Sequence, residues 1–135
     1  GIYQSLANFK KDFNAINLSN QTNIFRFPGG SNTSKIDKFG GIYLRDKIKK
    51  YLESEGMVYY DWNVSSKDTI LESSESIVET TLSQMKGRRY GVILMHDSYT
   101  HKPTVEALPE IIEKLQKKGY TFKSLDPKEV KIQFR

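Results

Sequence analysis

Apolar residues recur along this chain at two spacings, and the alternation between them outlines the fold. Leu6, Phe9, Phe13 and Ile16 stand at i, i+3, i+7 and i+10, one face of a helix. "NIFRFP" (23–28) predicts a short strand closed by proline, and "GGSNTSK" (29–35) a loop. Leu44, Ile48, Tyr51 and Leu52 mark a second helix that Gly56 is placed to end. "MVYYDWNV" (57–64) is rich in β-formers and predicts a second strand, followed by a loop at "SSKDT".

Ser76 and Glu79 have the spacing of a capping box, although the stripe Leu71, Val78, Leu82 and Met85 allows an earlier helix start; Gly87 ends it. A strand at 90–95 leads into a helix with Val105, Leu108, Ile112 and Leu115 on one face and Gly119 at its end. Pro109 is tolerable in that helix only near its start. "YTFKSL" and "VKIQF" are further strand candidates.

Regular alternation of helix and strand predicts an α/β fold of right-handed βαβ units with parallel strands, as an open sheet or a barrel. Function in such folds gathers at the C-terminal strand ends. Arg26, the stretch from Asp61 to Asp68, and His96 all stand at such ends.

Composition narrows the chemistry. The 135 residues suit one domain or part of one. Without cysteine there are no disulfides, thiolate metal sites or cysteine nucleophiles. No apolar run is long enough to span a bilayer, and no signal-peptide pattern is present. The net charge is +5, and residues 1–60 hold nine Lys/Arg against five Asp/Glu. Arg45, Lys47, Lys49 and Lys50 alternate with apolar positions, which reads as a solvated helix face and not as a nucleic-acid-binding surface.

The strand-end residues each carry two readings. His96 shares a face with Val92 and Leu94, suited to general acid or base work, or is a histidine bonded to a backbone carbonyl. Arg26, between Phe25 and Phe27, needs an anion if its strand is buried on both faces, through a structural ion pair or a catalytic one. "PGG" offers backbone N–H groups for an oxyanion, or is simply a turn. His101, Arg88 and Arg89 read as solvated.

Three segments taken together, "IFRFPGGSNTSK", "YYDWNVSSKD" and "VILMHDSYTHKPTVEALPEIIEKLQKKGYTFKSL", resemble the later motifs of polysaccharide deacetylases, the NodB-homology carbohydrate esterases of family 4. The resemblance covers essentially the whole chain and implies the C-terminal half of a distorted (β/α) barrel. It implies an enzyme that removes acetyl groups from N-acetylglucosamine polymers, peptidoglycan or chitin-like. There a metal-bound water attacks the acetamide, with an aspartate as base and a histidine as acid. Carried across, His96 resembles the acid, Arg26 the arginine that orients the base, and Asp68 a retained catalytic aspartate. Leu94 resembles the residue lining the acetyl pocket, Gly29 the backbone donor to the oxyanion, and Trp62 a substrate-binding aromatic.

The sequence departs from that pattern in two respects. With Trp62 aligned, the aspartate expected to support the acid histidine falls on Ser65, and the following aromatic on Thr69. A serine would hold an imidazolium less firmly than a carboxylate does. The T-F-D-D-G-like and H-x-x-x-H segments, which supply the base and the ligands for zinc or another divalent metal, do not occur. The expectation is therefore the C-terminal half of a deacetylase domain, inactive as it stands and without a metal site of its own. Its rival is a non-catalytic carbohydrate-binding or interaction module built on the half barrel. A half barrel leaves strand edges open, so pairing with a second copy or with the missing half is expected. Ile24, Tyr59, Val92 and Leu94 should then face solvent. The resemblance places the protein outside the cell or in its envelope.

Overall fold

The structure is a computed structural model, and it describes residues 1–17 and 22–134. It divides into two compact units, one of Gly1–Asp61 with Leu125–Arg135, the other of Trp62–Ser124.

In the first unit α1 (Leu6–Asn17) buries Phe9 and Phe13. Ile16, assigned to the same face, is 55% exposed because it lies in the last turn of the helix. α2 (Gly41–Ser54) buries Leu44, Ile48 and Leu52. β1 (Ile24–Phe25) pairs in parallel with β2 (Val58–Tyr59). Phe9, Phe13, Phe25 and Phe27 meet edge to face or stacked, with ring centroids 5.3–6.3 Å apart. The predicted loop after Pro28 tightens into a 3₁₀ helix (Ser34–Phe39) that buries Ile36 in this core. The basic positions of α2 lie against its own neighbours: Arg45 reaches Asp37 and the Thr33 carbonyl, and Lys47 lies 4.3 Å from the Tyr43 ring centroid.

In the second unit β3 (Val64–Ser65) pairs in parallel with β4 (Ile93–Leu94). α3 (Ser74–Met85) and α4 (Lys102–Lys117) pack together. Ile77, Val78 and Met85 of α3 meet Ala107, Ile111 and Leu115 of α4 in one buried cluster, with Ile93 and Met95 against it. Parallel strands thus alternate with helices, the α/β class that the pattern predicts.

Several expectations change in detail. The stretch 57–64 is two strands, because the chain leaves β2 at Asp61, whose carboxylate is buried and hydrogen-bonded within the first unit. α3 starts before the Ser76–Glu79 box: Ser73 is the cap, and its Oγ accepts from the Ser76 N–H at 3.1 Å. The buried face of α4 is Thr104, Ala107, Ile111 and Leu115, so Val105 and Leu108 are 62% and 42% exposed. Two of the four, Thr104 and Ala107, are small, and a search for large apolar residues passes over them. Pro109 lies in the middle of α4, on an exposed stretch with Val105, whose carbonyl it has no N–H to meet.

Neither 120–125 nor 130–134 forms a strand. The second segment is held instead by separate bonds, Asp61 N–H to the Ile132 carbonyl (2.8 Å) and Tyr60 hydroxyl to the Val130 carbonyl (2.6 Å). Ile24, Tyr59, Val92 and Leu94, expected to face solvent, are half-buried. Among the described residues no helix is long and apolar enough to cross a membrane.

Candidate active site

Of the six positions singled out, Arg26 and Gly29 belong to the first unit, and Trp62, Asp68, Leu94 and His96 to the second. The structure brings Asp68 and His96 into direct contact.

His96 follows β4 by two residues and is half-buried. Its Nδ1 stands 2.9 Å from Asp68 Oδ1, while its backbone N–H donates to Asp68 Oδ2 at 2.6 Å. An ionised carboxylate can only accept, so Nδ1 carries the shared proton and Nε2 is left for chemistry. The opening residues of the loop after β3 set up this contact. Ser66, fully buried, donates its Oγ proton to the Leu94 carbonyl at 2.9 Å, tying the loop to β4. Lys67 then takes φ 54°, a left-handed conformation uncommon outside glycine, and the chain turns to present Asp68.

Asp68 is 5% exposed. Burial alone would raise its pKa. The hydrogen bonds from the His96 ring and backbone and from Thr104, with the attraction of the imidazole, outweigh burial and hold it below the ordinary aspartate value.

This geometry corrects the reading of Ser65. The carboxylate at the histidine is Asp68, three residues further on. Ser65 faces α3 instead: its N–H donates to Gln84 Oε1 and its carbonyl accepts from Gln84 Nε2, each at 2.7 Å. His101 also differs from its solvated reading. It caps α4 and stacks on His96 with ring centroids 5.7 Å apart, while its Nδ1 meets the hydroxyls of Ser98 and Thr100. A cavity of about 400 Å³ opens beside the pair, lined by Asp68, Thr69, Leu71, Glu72, His101 and Pro103 among others.

Arg26 is exposed, one residue past β1, and no described carboxylate forms an ion pair with it. β1 is half-buried, not covered on both faces, so its arginine needs no buried anion. Its charge is felt by Tyr3, whose phenol is raised to about 12 by burial despite the lowering effect of Arg26. Gly29 and Gly30 take φ of 81° and 92° in the turn after Pro28, where a Cβ on Gly29 would meet Thr33 Oγ1 at 3.0 Å. Leu94 is half-buried on β4, opposite Ser65, and Trp62 is half-buried at the start of the second unit.

No protein-family model matches the chain. A Bacillus subtilis protein named as a polysaccharide deacetylase, YheN, is 35% identical over 112 residues, 78% of this chain and 35% of the relative. The crystal structure of the catalytic domain of a peptidoglycan N-acetylglucosamine deacetylase from Eubacterium rectale superposes with a TM-score of 0.89 at 30% identity, over 99% of this chain and 63% of that one. The chain matches part of the length of polysaccharide deacetylases of the NodB-homology type. A polysaccharide deacetylase from Bacillus cereus, at 23% identity and a TM-score of 0.71, shares the fold over 96% of this chain. In every case the chain spans less than two thirds of the relative's length.

Among the described residues no three His, Asp or Glu side chains come together as a metal-binding group. The divalent metal that the family relationship implies therefore finds no ligand set in these residues.

Proposed function

We propose that this chain supplies the leaving-group acid of a deacetylase acting on N-acetylglucosamine units of peptidoglycan. The observation that carries the reading is the Asp68–His96 pair, a buried carboxylate on Nδ1 with Nε2 left over, in a chain that aligns with a peptidoglycan N-acetylglucosamine deacetylase.

When the acetamide C–N bond breaks, the nitrogen must gain a proton to depart as an amine. Nε2 of His96 gives that proton, and Asp68 holds the ring in the tautomer and charge state that can give it. Leu94 borders the acetyl group and Trp62 the sugar. The base and metal ligands come from a segment this sequence does not contain, so the chain by itself is inactive. A peptidoglycan substrate puts the reaction in the cell envelope.

The test is acetate release from N-acetylglucosamine oligomers, by the chain alone and by the chain joined to a deacetylase segment that carries the base and metal ligands. Release at background in the first case and well above it in the second is expected. Robust release by the chain alone, or none from a folded, metal-loaded whole, would overturn the reading.

A further inference from the structure

Thr104 lies in the first turn of α4, eight residues beyond His96 and 5% exposed. Its Oγ1 donates to Asp68 Oδ2 at 2.9 Å. A threonine in a first helical turn ordinarily leaves its hydroxyl to solvent or to a nearby backbone group. Here it is spent on a buried carboxylate from the loop after β3. Asp68 thereby accepts three hydrogen bonds: the His96 N–H and the Thr104 hydroxyl on Oδ2, and the imidazole Nδ1–H on Oδ1.

We propose that Thr104 is a positioning residue that limits how strongly Asp68 pulls on the imidazole of His96. Donors to one carboxylate compete for its charge. With Oδ2 occupied twice, Oδ1 is a weaker acceptor, and the proton stays on Nδ1 without the carboxylate over-stabilising the imidazolium. An acid that must surrender a proton in the transition state gains from that restraint. This last step rests on the deacetylase reading; the competition at Asp68 does not. Other titratable groups close by are His101, stacked on His96, Glu72, which lines the same cavity, and the chain neighbours Lys67 and Asp97. None of these side chains is recorded as bonded to Asp68. Thr104 is therefore the only non-histidine side chain recorded as donating to that carboxylate among the described residues.

The test compares Thr104→Val, which keeps the shape and removes the donor, with Thr104→Ser, which keeps the donor. Ring ¹⁵N and Nδ1–H resonances of His96 and the carboxyl titration of Asp68 are followed by NMR in this chain. In Thr104→Val the Nδ1–H resonance should move downfield, because the bond to Oδ1 strengthens. The Asp68 midpoint should rise by roughly half a unit to one unit, as expected for loss of one donor. Thr104→Ser should match the parent in both. A threonine that merely packed would give the reverse pattern: Nδ1–H unmoved, shifted upfield or broadened in a folded Thr104→Val, or both signals disturbed in Thr104→Ser. Either result overturns the inference. If Thr104→Val does not fold, the Ser variant decides it alone, since loss of the parent signals there shows that the methyl group, not the donor, matters. Failure of acetate release from the complete enzyme would count against the deacetylase reading and leave these NMR outcomes standing.

Discussion

Asp68 is where burial and hydrogen bonding oppose each other most directly. Three donors converge on its carboxylate, and an asparagine could accept through only one oxygen while turning an NH₂ toward other donors. Asp68→Asn should therefore cost about 1–3 kcal/mol of stability, measurable by urea unfolding at neutral pH. The pH dependence follows from the same bonds. Because the folded-state pKa lies below the unfolded one, the carboxylate's contribution is fully present above the unfolded value and is lost as pH falls through the folded value. Stability should decline below about pH 4 in the parent, and this part of the decline should be missing in Asp68→Asn. A variant with an unchanged acid limb would show that the bonds to Asp68 carry no net stability. The sequence singled out Asp68 and His96 at strand ends, but not the bond between them. The motif pattern pointed to Ser65 as the missing support, while Asp68 reaches His96 only because Lys67 adopts a left-handed turn.

At the scale of elements, periodicity located the four α-helices of the described residues and misplaced the face of α4. α4 was expected to bury Val105, Leu108, Ile112 and Leu115, whereas it buries Thr104, Ala107, Ile111 and Leu115. The two sets differ by a small rotation of the helix, and that rotation brings the Thr104 hydroxyl to Asp68. Size misled the count, since Thr104 and Ala107 are buried without being large apolar residues. Ile111→Ala should thus cost about 2–5 kcal/mol, whereas Val105→Ser should stay within about 0.5 kcal/mol. Thermal unfolding of the two variants checks this, and similar losses in both would restore the original face. Strands were harder to read. Each observed strand has two residues in the ladder, and Asp61 ends β2 through hydrogen bonds to Ser31 and Phe134 that no local pattern announces.

At the scale of the molecule, the family was legible because short segments that resemble one motif set occur in order along the chain. The contact between Asp68 and His96 followed only from the three-dimensional structure. Both histidines of the chain are stacked in the second unit, and each has its Nδ1 engaged. Because no three His, Asp or Glu side chains group together among the described residues, the purified chain should take up no stoichiometric zinc in elemental analysis after dialysis. About one tightly held zinc per chain would mean that these residues do form a ligand set. The central claim is that His96, oriented by Asp68, protonates the departing amine. Its most direct test is steady-state acetate release by the complete, metal-loaded deacetylase carrying His96→Ala. A loss in kcat of about 100-fold or more, with KM little changed, is the predicted result. Turnover close to that of the parent enzyme would contradict it.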